Sequence, residues 1–176
     1  WCPATQITPT PGANGCTASF TSFNDLLGFL LVNELDPAYQ QAGTIYIEQG
    51  AYAGGETSID FNNYAFTQFN TQNLTLQGGW NPADNSVAST SQFTAPIIIG
   101  SSVNPWLGTL TINDISINGA AGEAGLTLVT QNNVNLSNVE VTNSQAGANI
   151  QTTGAVKVTD SSFNANKSYG VQIATN

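Results

Sequence analysis

The sequence predicts an all-β fold: a right-handed parallel β-helix of three-strand coils, about 22 residues each, behind an N-terminal α-helical cap. Three observations predict it. A strand pattern recurs through the C-terminal part of the chain, one amphipathic helix stands near the N-terminus, and the polar load is carried by uncharged groups.

The repeat is the strongest of the three. Leu110-Thr-Ile-Asn-Asp-Ile-Ser-Ile117 aligns with Val134-Asn-Leu-Ser-Asn-Val-Glu-Val141 and with Val156-Lys-Val-Thr-Asp-Ser-Ser-Phe163, at spacings of 24 and 22 residues. A further register runs through Gly125-Leu-Thr-Leu128, Gly147-Ala-Asn-Ile150 and Gly170-Val-Gln-Ile173. Apolar residues alternate within each unit, which puts one side of every strand inward. The alternation breaks at Asp114, Asn138 and Asp160. Asn and Asp tolerate the left-handed backbone of a tight corner, so each unit reads as strand, corner, strand, loop and a Gly-led third strand.

The expected organisation has three parts. Residues 1–20 form an extended leader tied by a disulfide between Cys2 and Cys16, the only cysteines. Residues 21–42 hold the capping helix, expected from Ser22 to Leu35. Ser22 with Asp25 makes a cap-like start, Phe23, Leu26, Leu27, Leu30 and Leu31 share one face, and Pro37 stops it. Residues 43–176 form the β-helix, opening on Gly43-Thr-Ile-Tyr-Ile47 and interrupted by long turns at 53–72 and 78–96.

Composition narrows the function. Only 7% of residues are charged, and the net charge is −9 with two lysines, Lys157 and Lys167, and no Arg or His. Such a chain cannot neutralise a phosphate backbone or an anionic membrane surface, so no nucleic-acid partner is expected. The longest apolar run falls far short of the roughly 20 residues of a membrane span. The 21 Asn and 21 Thr suit strands stacked at a short repeat, because amides and hydroxyls bond along a stack where repeated charges would repel. The cysteine pair implies an oxidising, extracellular or cell-surface setting. Residue 1 is not Met, which reads as a processing boundary with any signal peptide removed.

The segment from Phe20 to Tyr52, a short amphipathic helix followed by Gly43-Thr-Ile-Tyr-Ile47 and Gly50-x-Tyr52, together with the Asn73-Leu-Thr-Leu-Gln-Gly-Gly79 segment and the Asn/Asp corner, resembles the pectate-lyase-like right-handed β-helix superfamily, over residues 20–176. The resemblance implies a fold shared by lyases, hydrolases, adhesins and surface proteins, and so little about activity. The lyases of that superfamily imply a calcium site and an Arg or Lys base, and its hydrolases imply clustered aspartates near a His. This chain has no Arg, no His and no Asp-Asp pair, so no catalytic residue is assigned and the chain is expected not to be an enzyme.

The candidate sites are therefore of other kinds. The corner column Asp114, Asn138 and Asp160 is read as backbone geometry, with a weak Ca²⁺ site as the alternative; no other cofactor is expected. Tyr64, Trp80 and Trp106 are candidate sugar-stacking rings, or else cover for the flank. Asn73, Asn135 and Asn166 head glycosylation-type triplets, cheap matches in a chain so rich in Asn, Ser and Thr. Leu128, Ile150 and Ile173 form a column with no sequence left to cap it, and with Val171 they are the expected open-end assembly surface. The reading that follows is an extracellular structural β-solenoid. It either self-associates head to tail into a filament or forms the N-terminal part of a larger adhesin-like protein in which the solenoid continues. The alternative is a carbohydrate-binding or degenerate polysaccharide-processing module with a glycan partner.

Overall fold

In-register parallel pairing is what the 22- to 24-residue repeat produces. The computed structural model describes residues 1–52, 59–120 and 122–175, so residues 53–58 of the first expected long turn, Ala121 and Asn176 lie outside the described residues. In chain order the elements are β1 (Cys2–Pro3), α1 (Phe23–Val32), β2 (Gly43–Glu48), β3 (Gly50–Tyr52), β4 (Ile59–Asp60), β5 (Leu74–Asn81), β6 (Ser86–Val87) and β7 (Ser91–Phe93). They continue with β8 (Ile97–Ile99), β9 (Leu110–Asn118), β10 (Ala124–Thr130), β11 (Val134–Thr142), β12 (Ala146–Thr152), β13 (Val156–Thr159) and β14 (Val171–Thr175).

Among the described residues these strands form two sheets. The larger has nine strands with the path β1-β2-β5-β9-β11-β13, and β3, β6 and β7 attach to its side; the smaller runs β14-β12-β10-β8-β4. Val134 pairs with Leu110 and with Val156, and Leu128 pairs with Ile99 and Ile150, so the repeated positions become columns. Leu110, Ile112, Leu126, Leu128, Val134 and Leu136 are buried in one continuous apolar core.

The expected fold class is overturned. A three-strand coil needs three separate faces, and the structure has two sheets. Residues on either side of the corner remain in one strand: β9 continues through Asp114 and β11 through Asn138. The larger sheet is also mixed, because β1 runs antiparallel to β2 and β6 antiparallel to β5. Among the described residues the fold is mixed, with two sheets and one α-helix, not an all-β, all-parallel helix of three-strand coils. The reason lies in what the left-handed residue does. Asp114 and Asn138 have φ of 55° and 52°. Each adds one residue to the strand count, so Ile112 and Ile115 both point inward although three apart. The break in alternation is a bend within a strand rather than a boundary between strands.

The second long turn also differs from expectation. Residues 78–96 contain the end of β5, all of β6, and β7, which pairs with both β3 and β9. Gly79 makes this possible at φ +72°, where a Cβ would lie 1.9 Å from the Ser89 carbonyl oxygen. The buried Ser91 hydroxyl seals the junction, accepting from the Gly79 N–H at 2.9 Å and lying 2.7 Å from the Glu48 carbonyl oxygen.

Helix α1 starts as its sequence dictates, with the Ser22 hydroxyl accepting from the Asp25 N–H at 3.1 Å. Leu26, Leu27 and Leu30 are buried against the core, and Phe23 and Leu31 are partly buried. It ends at Val32, short of the expected Leu35. Asn33 turns its side-chain amide onto the Phe29 carbonyl at 2.8 Å and caps the helix before Pro37 is reached.

The early end frees Glu34 for a role that the sequence did not disclose. Its carboxylate, 8% exposed, accepts from the main-chain N–H groups of Thr67 (2.9 Å), Gln68 (3.0 Å) and Phe69 (3.2 Å), and from the Thr67 hydroxyl at 2.9 Å. Burial alone would raise its pKa, but the donors from Gln68, Thr67 and Phe69 outweigh burial and hold it below the ordinary value. A depressed folded-state pKa means that the stabilisation is complete above the unfolded value of about 4.3 and is lost as pH falls through the lower folded value. Glu34→Gln is expected to cost about 2 kcal/mol at neutral pH. The difference from the parent should shrink as urea titrations are repeated at successively lower pH through the carboxylate range.

Candidate functional site

The corner column is a hydrogen-bonded ladder. Gln77 donates to Asp114 Oδ2 at 2.6 Å, and Asn138 donates to Asp114 Oδ1 at 2.7 Å. Asn113 in turn donates to Gln77 Oε1 at 3.1 Å. Asp160 repeats the left-handed conformation one layer on, with φ of 50°. Both oxygens of Asp114 thus accept amide protons, contacts that a cation would have to displace. Among the described residues no three His, Cys, Asp or Glu side chains gather closely enough to hold a metal ion.

A second ladder lies inside. Thr130 and Thr152 are paired across β10 and β12 and are buried. Thr130 donates to the Gly108 carbonyl at 2.8 Å, and Thr152 donates to the Asn132 carbonyl. Their hydroxyls also accept from the N–H groups of Asn132 (3.1 Å) and Gly154 (2.9 Å), so each threonine satisfies the turn that follows it. The 22-residue spacing of Val-Thr130 and Gln-Thr152 was the available signal, masked by a threonine content high everywhere.

The aromatic candidates are not brought together as a sugar platform. Trp106 is 2% exposed and Trp80 8%. Trp106 sits edge-on to Phe61 and Phe69 at 5.5 and 5.7 Å, while Tyr64 stacks on Phe66 and its hydroxyl donates to the Asn24 carbonyl at 3.1 Å. Trp106 and Tyr64 thus serve the packing of the flank, while Trp80 lies against the leader side of β2 with Pro82. The three triplet asparagines are likewise engaged: Asn73 accepts from the Thr109 N–H, Asn135 donates to Thr111, and Asn166 bridges the Ser144 N–H and the Val141 carbonyl.

The assembly column divides in two. Leu128 and Ile150 are fully buried within their sheet. In β14, Ile173 continues that column and Val171 continues the neighbouring Leu126–Ala148 column; they are 51% and 37% exposed, and Val158 in β13 is 44% exposed. The candidate surface is thus the β13/β14 layer itself. Its inward-facing positions have the side-chain chemistry of a core and no layer over them among the described residues.

At the other end the Cys2–Cys16 disulfide is formed and holds β1 against β2. No helix among the described residues is long and apolar enough to cross a membrane. No protein-family model, characterised protein or solved structure matches the chain, and the likeness to the pectate-lyase-like superfamily rests on its sequence motifs alone.

Proposed function

We propose that the chain is an extracellular, non-catalytic structural module whose exposed β13/β14 layer is covered by another β-layer, giving head-to-tail assembly of copies. The observation that carries this reading is the exposure of Val158, Val171 and Ile173 in register with buried columns. Covering such side chains contributes about 1.5–3 kcal/mol each, and the free strand edges gain main-chain partners at the same time. The disulfide and a surface of amides and hydroxyls support the extracellular setting. The lack of Arg and His removes the groups that acid polysaccharide cleavage most often uses, which supports a structural rather than an enzymatic role. Placement of the module at the N-terminal end of a larger adhesin-like chain would cover the same layer from within that chain. The carbohydrate-binding alternative is weaker, because Trp80 and Trp106 bury the rings it would use.

Light scattering and electron microscopy of the purified chain over a wide concentration range test the proposal. Elongated oligomers growing with concentration are expected. A monodisperse monomer at every concentration overturns self-assembly.

A further inference from the structure

A layer that adds to β13 needs an acceptor at the opposite end of the larger sheet. That end is β2, and β1 covers only part of it. The antiparallel pairing stops at Cys2↔Thr44 and Pro3↔Gly43. The Ala42 carbonyl accepts from the Ala4 N–H, so by strand alternation the main-chain groups of Thr44 and Tyr46 face this same side. Beyond Thr44 no strand among the described residues pairs with β2 there.

The space beside this free edge is a groove of about 590 Å³. Ile45, Tyr46, Ile47 and Glu48 form one wall, and Pro9, Pro11, Phe20, Phe23, Trp80 and Pro82 contribute to the rest. The disulfide-tied leader meets this wall at the Tyr46 hydroxyl, which donates to the Gln6 carbonyl at 3.1 Å, and otherwise the leader and the start of α1 border the groove rather than fill it.

Charge selects the occupant. Residues 1–156 contain no Lys, Arg or His, and the exposed Glu48 carboxylate stands on the groove wall. The two lysines of the chain, Lys157 and Lys167, belong to the far end, Lys157 within β13 itself. A strand of a second copy that presents a cation between apolar residues therefore matches the groove in backbone and in sign.

We propose that the free edge of β2 and its groove receive β13 of a second copy, with Lys157 of one copy facing Tyr46 and Glu48 of the next. This rests on the self-assembly reading above and assigns its acceptor. The register follows from the faces. Val134 and Leu136, the partners of Val156 and Val158, point inward, as do Ile45 and Ile47. Because β1 occupies Gly43 and Thr44, pairing starts at Ile45, two residues beyond the column position Gly43 that Leu74, Leu110, Val134 and Val156 share. A shift of two keeps every apolar side chain on the core side. It sets Val156 beside Ile45, Lys157 beside Tyr46, and Val158 beside Ile47, with Glu48 diagonal to Lys157 on the outer face. The contact is heterologous and leaves a free edge at each end, so it propagates.

A charge swap tests it. Glu48→Lys and Lys157→Glu are each expected to raise the concentration needed for assembly about tenfold, and the double variant to restore it. Both residues are exposed, so far-UV circular dichroism and the urea midpoint of the monomer should match the parent. Rescue in the double variant supports the assignment. Assembly at parental concentration in both single variants, or loss in both without rescue, overturns the acceptor while leaving self-assembly in place. A parent chain that never assembles overturns both.

Discussion

Replacing Trp106 with alanine is expected to cost about 3–5 kcal/mol, a large share of the roughly 5–15 kcal/mol that holds a domain of this kind together. The indole is 2% exposed and lies among Phe61, Phe66 and Phe69, with ring centroids 5.5–6.5 Å away and crossing angles of 71–88°. Its Nε1 donates to the Gln72 carbonyl at 2.9 Å. Its main chain bridges to the end of β10, its N–H bonding to the Val129 carbonyl at 2.9 Å and its carbonyl accepting from the Gln131 N–H at 2.8 Å. Truncation empties the centre of the aromatic cluster and leaves the Gln72 carbonyl without its partner. Trp106→Phe keeps much of the volume and loses that hydrogen bond, for an expected cost of about 1–2 kcal/mol. Urea unfolding of the two variants measures both numbers. A Trp106→Ala chain that keeps the parental midpoint would show that the cluster is dispensable. Binding to a glycan array that vanished in Trp106→Phe would return the ring to the role of a sugar platform.

Trp106 also shows where reading the sequence stops. A tryptophan between Pro105 and Leu107 announces an aromatic needing cover or a ligand, and both readings were open. What decides between them is the arrival of Phe61, Phe66 and Phe69 from some forty residues away, and no periodicity reports that. The columns were legible for the opposite reason. Val134 pairs with Leu110 and Val156 because each strand repeats its neighbour's pattern, so one alignment of the chain with itself yields the register. The helix start was legible from Ser22 and Asp25, which are local. Its end was not: Pro37 is a local stop signal, but Asn33 closes the helix four residues earlier by bonding its amide to the Phe29 carbonyl. Glu34 was invisible as a clamp, since its four donors come from residues 67–69.

The fold class failed at one particular step. A break in apolar alternation has two physical causes: the end of a strand, or an extra residue in a left-handed bend within it. The sequence does not separate them, since Asp and Asn suit both. Taking the first made three faces out of two sheets. The leader misled in a different way. Residues 1–20 lack alternation, yet Cys2 and Pro3 become a strand because the disulfide and the edge of β2 hold them there. That short antiparallel strand makes the larger sheet mixed. It also limits how much of β2 an incoming strand can reach.

The left-handed bend carries the second large effect. Asn138→Val is expected to lose about 2–4 kcal/mol. A β-branched residue at φ 52° is disfavoured by about 1–2 kcal/mol, and the 2.7 Å bond from Asn138 to Asp114 disappears as well. Asn138→Gly separates the two terms, because glycine accepts the conformation and lacks the amide; its expected cost is about 1 kcal/mol. The order parent, Gly, Val in urea midpoint supports a corner chosen for its backbone, with the ladder as a smaller contribution. Equal losses for Gly and Val would place the energy in the side-chain ladder instead. The same variants test the calcium alternative. A cation held by this column would raise the midpoint of the parent on addition of Ca²⁺ and spare the variants that lack the Asn138 oxygen. With both Asp114 oxygens already bonded to Gln77 and Asn138, the expected response is no shift in any of the three chains. A bend held by its own backbone then lets Ile112 and Ile115, and Leu136 and Val139, face one core from a single strand, which is how two sheets enclose what three were expected to.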